Sequence, residues 1–449
     1  MSNSRLAHFS AGRVILLALF CTIIIGTALL ALPMARRAPM ALLDLFFTAT
    51  SATCVTGLFT IPLENFTIFG KSVILALIQI GGLGVITLTL FVFSLFMNLG
   101  LATQLMAGRL LELESWKNIK QLLVFIMLVA LSVELIGALL FFSVFIQTHQ
   151  LSHAIFLAVF HAISFFCNAG ITLFNNSMLL YAHNQVMVIT AMFLMFLGGI
   201  GFVTLYEIYE HIFSFPSGKR HHFSLQSKII LYGALIGILI TAFLVYAIEN
   251  NHAFAHMDIL DTITSSLFHA ISFRSTGLTM VPIAQFQIAT LFLIMIVGFI
   301  GSAPGSTGSG IRTTTAAVYL AVVQAAIEGH VAINIFGRRV AKDQVNKAIA
   351  IISLSIFWVI ITIFGLLVLE PHLRFTDIIF ETLCAFTNLG LSTGITPILS
   401  VGGKILIILS MIFGRIGSLT LILALRKIAI RKGTGQTEIL YPEERIMLS

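Results

Sequence analysis

The chain alternates long apolar runs with short polar connections. Runs of about 20 residues, enough at 1.5 Å per residue to cross a hydrocarbon core, lie near 14–32, 73–97, 122–146, 186–206, 229–248, 288–301, 349–369 and 405–425. They predict roughly eight crossings. Between the members of each successive pair stands a shorter apolar segment of about 10 to 14 residues, a length that suits a re-entrant half-helix. These segments begin near Leu42, Ala154, Ile259 and Phe375. The order is span, half-helix, span, four times over. It predicts an all-α integral membrane protein of four tandem units, at 1–118, 119–226, 227–343 (with a broken second span) and 344–449 (with a short tail). Asp44, Ser152, Asp261 and Asp377 stand where the half-helix N-caps are expected.

An internal repeat supports the layout. His161-Ala162-Ile163-Ser164-Phe165 recurs identically as His269-Ala270-Ile271-Ser272-Phe273, and each string leads within a few residues to a lone glycine. The same frame yields Ser51 followed by Thr56-Gly57-Leu58, then Asn168-Ala169-Gly170-Ile171, Ser275-Thr276-Gly277-Leu278 and Asn388-Leu389-Gly390-Leu391. A second glycine theme falls in each following span: Gly81-Gly82-Leu83-Gly84, Gly198-Gly199-Ile200-Gly201, the stretch from Gly301 to Gly310, and Gly414-Arg415-Ile416-Gly417.

Composition fits a bilayer and excludes an ordinary cytosolic enzyme. Hydrophobic residues make 58% of the 449 positions and charged residues only 10%, leaving too little polar surface to cover a core in water. The net charge of +7 does not point to a nucleic-acid partner, because the bases form short clusters between apolar runs instead of one basic face. Those clusters are Arg109, Lys117 and Lys120; Lys219, Arg220 and Lys228; Arg338, Arg339, Lys342 and Lys347; and Arg426, Lys427, Arg431 and Lys432. They occupy alternate loops. Placing them in the cytoplasm puts both termini inside and all four half-helices on the outer side. The first run is too long for a signal-peptide core and is read as a retained span. Cys21, Cys54, Cys167 and Cys384 have no metal-like spacing.

Four parallel copies in one chain suggest a pseudo-fourfold ring whose only common centre is an axial pore. Non-helical backbone at membrane depth must be buried in protein or line a watery path, so the glycine loops are expected to line it. The half-helices would direct the partly negative ends of their dipoles at the axis, which favours a cation. No acidic ring precedes the glycines, and carbonyl ligation suits a monovalent, easily dehydrated ion. Potassium is the leading candidate, bound at the backbone carbonyls of Thr56, Gly57, Asn168, Ala169, Gly170, Ser275, Thr276, Gly277, Asn388, Leu389 and Gly390. The competing reading is that the glycines only mark close helix crossings. A membrane-embedded enzyme would need a facing catalytic pair, and none stands out.

With these residues the sequence resembles the Trk/Ktr/HKT superfamily of potassium transporters, and most resembles the Ktr-type membrane subunit. Thr53-Cys54-Val55-Thr56-Gly57-Leu58, the other three glycine loops, the stretch Gly301-Ser302-Ala303-Pro304-Gly305-Ser306-Thr307-Gly308-Ser309-Gly310-Ile311-Arg312, and Arg415 carry the resemblance. It implies sodium-stimulated potassium uptake across a bacterial plasma membrane, sodium acting as an activator. It further implies a homodimer with one pore per protomer, and a cytosolic nucleotide-binding regulatory ring of the RCK/KTN type that carries the nucleotide. A less selective sodium/potassium channel-like transporter is the alternative.

Other residues have two readings each. Ala303, Pro304, Gly305, Ser306, Thr307, Gly308, Ser309 and Gly310 must break the sixth span, either as a gate beneath the filter or as a passive kink; Thr313 to Thr315 restart the helix. Arg415, a charge inside an apolar run, is expected to face the pore as part of the gate. There it repels a second cation, pairs with the carbonyls of the broken loop, or serves as counter-charge to Glu134 or Glu381. Those two carboxylates are otherwise packing or inter-helix partners. Arg274 is either ion-repelling or, as is expected here, a brace that hydrogen-bonds the outer loops. His161 and His269 are read as satisfied structural histidines in preference to pH sensors.

Overall fold

The computed structural model describes residues 11–84, 87, 119–174, 177–214, 223–330 and 332–417. These form fourteen helices: α1 Ala11–Ala31, α2 Leu42–Cys54, α3 Ile68–Leu83, α4 Ile119–Phe145, α5 Leu151–Phe166, α6 Gln185–Ile200, α7 Phe202–Ser214, α8 Leu225–Glu249, α9 Ile259–Ser272, α10 Ile288–Phe299, α11 Thr313–Ile327, α12 Lys342–Leu369, α13 Phe375–Thr387 and α14 Val401–Ile416. A two-stranded antiparallel hairpin, β1 Asn334–Ile335 with β2 Arg338–Arg339, is a small departure from the all-α expectation. It turns at Phe336 and Gly337, both at positive φ.

Among the described residues four helices are each long and apolar enough to cross a bilayer alone, within α1, α4, α8 and α12. Their outward faces expose Ile24, Leu128, Leu239 and Phe364, as lipid-facing surfaces do. The short helices α2, α5, α9 and α13 are the buried elements, holding Phe47, Phe160, Phe268 and Phe380 at full burial. The chain is a multi-pass, predominantly helical membrane protein. The helix that follows each buried short helix packs on the next buried one: α3 on α5, α6 on α9 and α10 on α13, while α14 returns to pack on α2.

The second spans depart from expectation. The run 186–206 is not one helix: α6 and α7 meet at Gly201 with a bend of 99°. Gly201 has φ +94°, and a Cβ there would lie 2.7 Å from the carbonyl oxygen of Pro304. A left-handed residue packed against a neighbouring loop ends a helix wherever the pattern of apolar residues runs on. Likewise α3 ends before Gly84 and α14 before Gly417, both at positive φ. The remainder of the runs 73–97 and 405–425 falls largely outside the described residues, as do Arg109, Lys117, Lys219, Arg220 and the cluster from Arg426 to Lys432.

The N-cap assignments also need correction. The residues preceding the four short helices are Ala41, Gln150, Asp258 and Arg374, and none caps through its side chain. Asp44, Asp261 and Asp377 sit instead in the first helical turn, with Ser152 in the first turn of α5. A carboxylate there still faces the positive end of the helix dipole and is free to reach a neighbour. Asp44 accepts from Lys404 Nζ at 2.7 Å, and Asp261 contacts His183 Nδ1 at 2.8 Å and accepts from Gln185 Nε2 at 3.2 Å. True side-chain caps begin three of the four second spans: Thr67 accepts from Gly70 N, Asn184 from Met187 N and Ser400 from Gly403 N, whereas Gln287 before α10 makes no such bond.

Candidate functional site

The short helices end in glycine turns built from local rules. After α2, α5 and α13 a single residue adopts the left-handed conformation, Val55, Asn168 and Asn388, with φ of 58°, 57° and 53°. Two residues later come Gly57, Gly170 and Gly390, also at positive φ. After α9 no such residue intervenes, and Gly277 follows Ser272 by five positions where Gly170 follows Ser164 by six. A serine near the end of three of these helices clamps its turn. Gly57 N donates to Ser51 Oγ at 3.1 Å, Ser164 Oγ donates to Ile171 O at 2.6 Å, and Leu278 N donates to Ser272 Oγ at 2.6 Å. Sequence reasoning misses these clamps; the only signal for them is that Ser51, Ser164 and Ser272 recur in the repeat frame.

The four turns touch one another in cyclic order. The position a Cβ would take on Gly57 lies 2.6 Å from Ala169 O, and the corresponding positions on Gly170, Gly277 and Gly390 overlap Thr276 O, Leu389 O and Thr56 O. Only glycine leaves room for that approach. The turns therefore bring the carbonyls of Thr56, Ala169, Thr276 and Leu389 together at the ends of four helices, where dipoles leave partial negative charge. Among the described residues no cluster of three or more His, Cys, Asp or Glu could hold a metal ion, so backbone and hydroxyl oxygens are the ligating chemistry on offer.

The predicted filter residues fall into two groups. Thr56, Gly57, Ala169, Gly170, Thr276, Gly277, Leu389 and Gly390 form the touching turns. Asn168 and Asn388 belong to them through their backbones only, since their side-chain amides bond to protein: Asn168 Oδ1 accepts from Thr276 Oγ1 at 2.5 Å, and the Asn388 amide contacts Thr56 Oγ1 at 2.9 Å. Ser275 is buried beside them.

The break in the sixth span is an ordered loop between α10 and α11. Ser302, Ala303, Thr307 and Ser309 are buried. The loop supplies donors to carbonyls at the end of α6: Ala303 N donates to Gly199 O at 3.1 Å and Thr307 N to Gly198 O at 3.1 Å. In return Phe202 N donates to Gly305 O at 2.9 Å. Ser306 Oγ closes on Ala303 O at 2.7 Å, and Arg312 Nη1 donates to Gly308 O at 2.6 Å. Pro304, Gly305, Ser306 and Gly310 face a cavity of about 320 Å³ that also meets Gly84 and Arg415.

Arg415 is half-buried and forks between segments. Nη1 donates to Thr307 O at 2.6 Å and to Ser309 Oγ at 2.9 Å, while Nη2 donates to Gly81 O and, at 3.4 Å, to Gly82 O. The expected partnership with carbonyls of the broken loop is formed, through Thr307 O. The counter-charge role is not: Glu134 accepts from Gln79 Nε2 at 3.0 Å, and Glu381 accepts from the Thr396 hydroxyl. Five fixed donors in a plane suit a guanidinium to bridging carbonyls, with no carboxylate required. Among the described residues the Arg274 guanidinium reaches the start of α11 in place of an outer loop, Nη2 lying 3.4 Å from Thr313 Oγ1. His161 and His269 have both ring nitrogens engaged. Nδ1 contacts the carbonyl four residues back at 2.7 Å in each, and Nε2 accepts from Leu173 N and Met280 N at 3.2 Å. They pin the segments downstream of the turns, in agreement with the structural reading.

Comparison with known proteins gives the class, a membrane transporter of cations. Residues 8–431 match the TrkH family model, described as cation transport protein, and the chain belongs to that family. It is 34% identical over 443 residues to the Ktr system potassium uptake protein B of Bacillus subtilis, covering 98% of this chain and 97% of that protein. It is 30% identical to the potassium/sodium uptake protein NtpJ of Enterococcus hirae, over 96% of this chain and 95% of that one. The crystal structure of the potassium transporter TrkH from Vibrio parahaemolyticus shares the fold with a TM-score of 0.72 at 17% identity, covering 94% of this chain and 87% of that one.

Proposed function

We propose that the chain takes up potassium through a selective pore. Four helix–loop–helix units, at 1–118, 119–226, 227–343 and 344–449, surround one axial path in a pseudo-fourfold ring. The glycine turns form the filter, with potassium at the carbonyls of the filter residues from Thr56 to Gly390. The observation that carries this reading is the cyclic contact of Gly57, Gly170, Gly277 and Gly390 with the carbonyls of their neighbours. The 303–310 loop and Arg415 form the gate, on the cytoplasmic side of the filter, in a chain whose termini both lie in the cytoplasm. Uptake needs no further energy source than the membrane potential, worth about 2.3 kcal/mol per charge per 100 mV.

Resemblance to the Ktr-type subunit supports a homodimer in a bacterial plasma membrane, seated on a cytosolic nucleotide-binding ring that moves the gate, with sodium as activator. The name of the Enterococcus relative, a potassium/sodium uptake protein, supports a second reading, a sodium/potassium pathway of low selectivity. Reversal potentials of the purified protein in mixed potassium and sodium separate the two. A reversal near the potassium equilibrium potential supports the first, a value midway between the two ions supports the second, and no current or flux with either ion refutes both.

A further inference from the structure

We infer that Asn168 couples the 302–310 loop to the filter, so that the position of the loop sets ion preference as well as flux; this rests on the reading of the turns as filter and of the loop as gate. Asn168 is 1% exposed and holds both structures with one amide. Its Nδ2 donates to Thr307 Oγ1 on the loop at 2.7 Å. Its Oδ1 accepts from Thr276 Oγ1 at 2.5 Å. Thr276 supplies the carbonyl that abuts Gly170, so the chain of contacts runs from loop to filter carbonyl without a gap. Thr307 is itself fully buried, and its hydroxyl lies 3.0 Å from both Phe166 O and Gly198 O.

The residue type fits the task. A planar amide carries donor and acceptor on one rigid group, whereas a carboxylate cannot donate and a hydroxyl is too short to span the two threonines. Asparagine also tolerates the left-handed backbone that the turn requires.

The arrangement occurs a second time. Asn388 holds the same position in the fourth turn and contacts Thr56 Oγ1, on the residue before Gly57. With its amide oriented so that both ends find partners, its oxygen accepts from Ser309 Oγ at 3.2 Å. Each asparagine thus joins a loop hydroxyl to the threonine of the next turn, at two opposite members of the cycle. The first turn has Val55 at this place and the third has Ser275, which lies outside the left-handed region; neither carries an amide that offers a donor and an acceptor on one rigid group.

The test uses the purified full-length protein in liposomes and reads the potassium-to-sodium permeability ratio from reversal potentials. Thr307→Val removes the acceptor while keeping shape, and it lowers the ratio roughly fivefold, the scale of one buried hydrogen bond; Thr307→Ser keeps the parental ratio. Thr276→Val cuts the other arm, and because the arms act in series, the double variant falls no lower than Thr276→Val alone. A parental ratio in Thr307→Val, or losses that add in full in the double variant, overturns the coupling. Ser309→Ala, which cuts the Asn388 arm, gives the same readout should Thr307→Val not fold. Failure of the underlying reading has a separate signature: a parental ratio in Gly170→Ser removes the filter, and unchanged flux on shortening the loop removes the gate. Coupling fails alone when both of those variants act and the threonine variants do not.

Discussion

Lys404 and Asp44, 360 residues apart, pair at 2.7 Å with only 15% and 17% of their side chains exposed. The contact ties the first turn of α2 to α14 and so joins the two ends of the described chain. Removing one partner strands a poorly solvated charge. Lys404→Met is expected to destabilise the protein by about 2 kcal/mol, read as a lower thermal midpoint in detergent, with Lys404→Met/Asp44→Leu recovering part of the loss. An unchanged midpoint in the single variant refutes this assignment.

Replacing Gly170 or Gly277 by Ser places a Cβ on the carbonyl of the neighbouring turn and forces a left-handed backbone at a cost of about 1–3 kcal/mol. Potassium-over-sodium preference is expected to fall in both while the protein still inserts and purifies as a folded species. Unchanged preference in both would mean the turns do not discriminate between ions.

If the loop is the gate proposed above, shortening it between Ala303 and Gly310 raises basal rubidium uptake into liposomes. A folded variant that transports no faster is the outcome a passive kink predicts.

Arg415 distinguishes a tether from an electrostatic barrier. As a tether its two donor nitrogens hold Thr307 O and Gly81 O together, a span that the single ammonium of lysine does not reproduce. Arg415→Gln and Arg415→Lys are then both expected to raise flux. As a barrier only the charge matters, and Arg415→Lys would keep the parental rate while Arg415→Gln admitted proportionately more sodium. Flux through the two variants side by side decides between them.

The layout of the chain is legible in its sequence because length and apolarity are enough to mark a span, and the starts of α2, α9 and α13 coincide with the segments beginning at Leu42, Ile259 and Phe375. The glycine turns are legible because Gly57, Gly170, Gly277 and Gly390 recur in one frame. Helix termination inside an apolar run is not. The glycines from Gly198 to Gly201 mark a place where the helix can give way, but not the bend itself, which depends on contact with Pro304, distant in sequence and supplied by tertiary packing. The N-cap positions fail for a related reason, because an aspartate is equally at home in the first turn, where Asp44 and Asp261 find partners on other helices. The third turn, shorter by one residue, is hidden by the identity of the two pentapeptides, which aligns the helices but not the turns after them. Arg415 can be recognised as functional from its cost in lipid, but its carbonyl partners cannot, because backbone acceptors have no sequence signature.

The hydrogen bonds from Ala303 N and Thr307 N to Gly199 O and Gly198 O have a thermodynamic corollary. Any displacement of the loop strips two carbonyls of their donors inside a region where lipid cannot replace them. Water can. Withdrawal of the loop is therefore cheap only if the vacated space fills with water in the same step, so that, for the gate proposed above, opening and wetting would be a single event. The equilibrium between the two states should accordingly respond to solutes that lower water activity yet are too large to enter the passage, even where no such solute touches the protein.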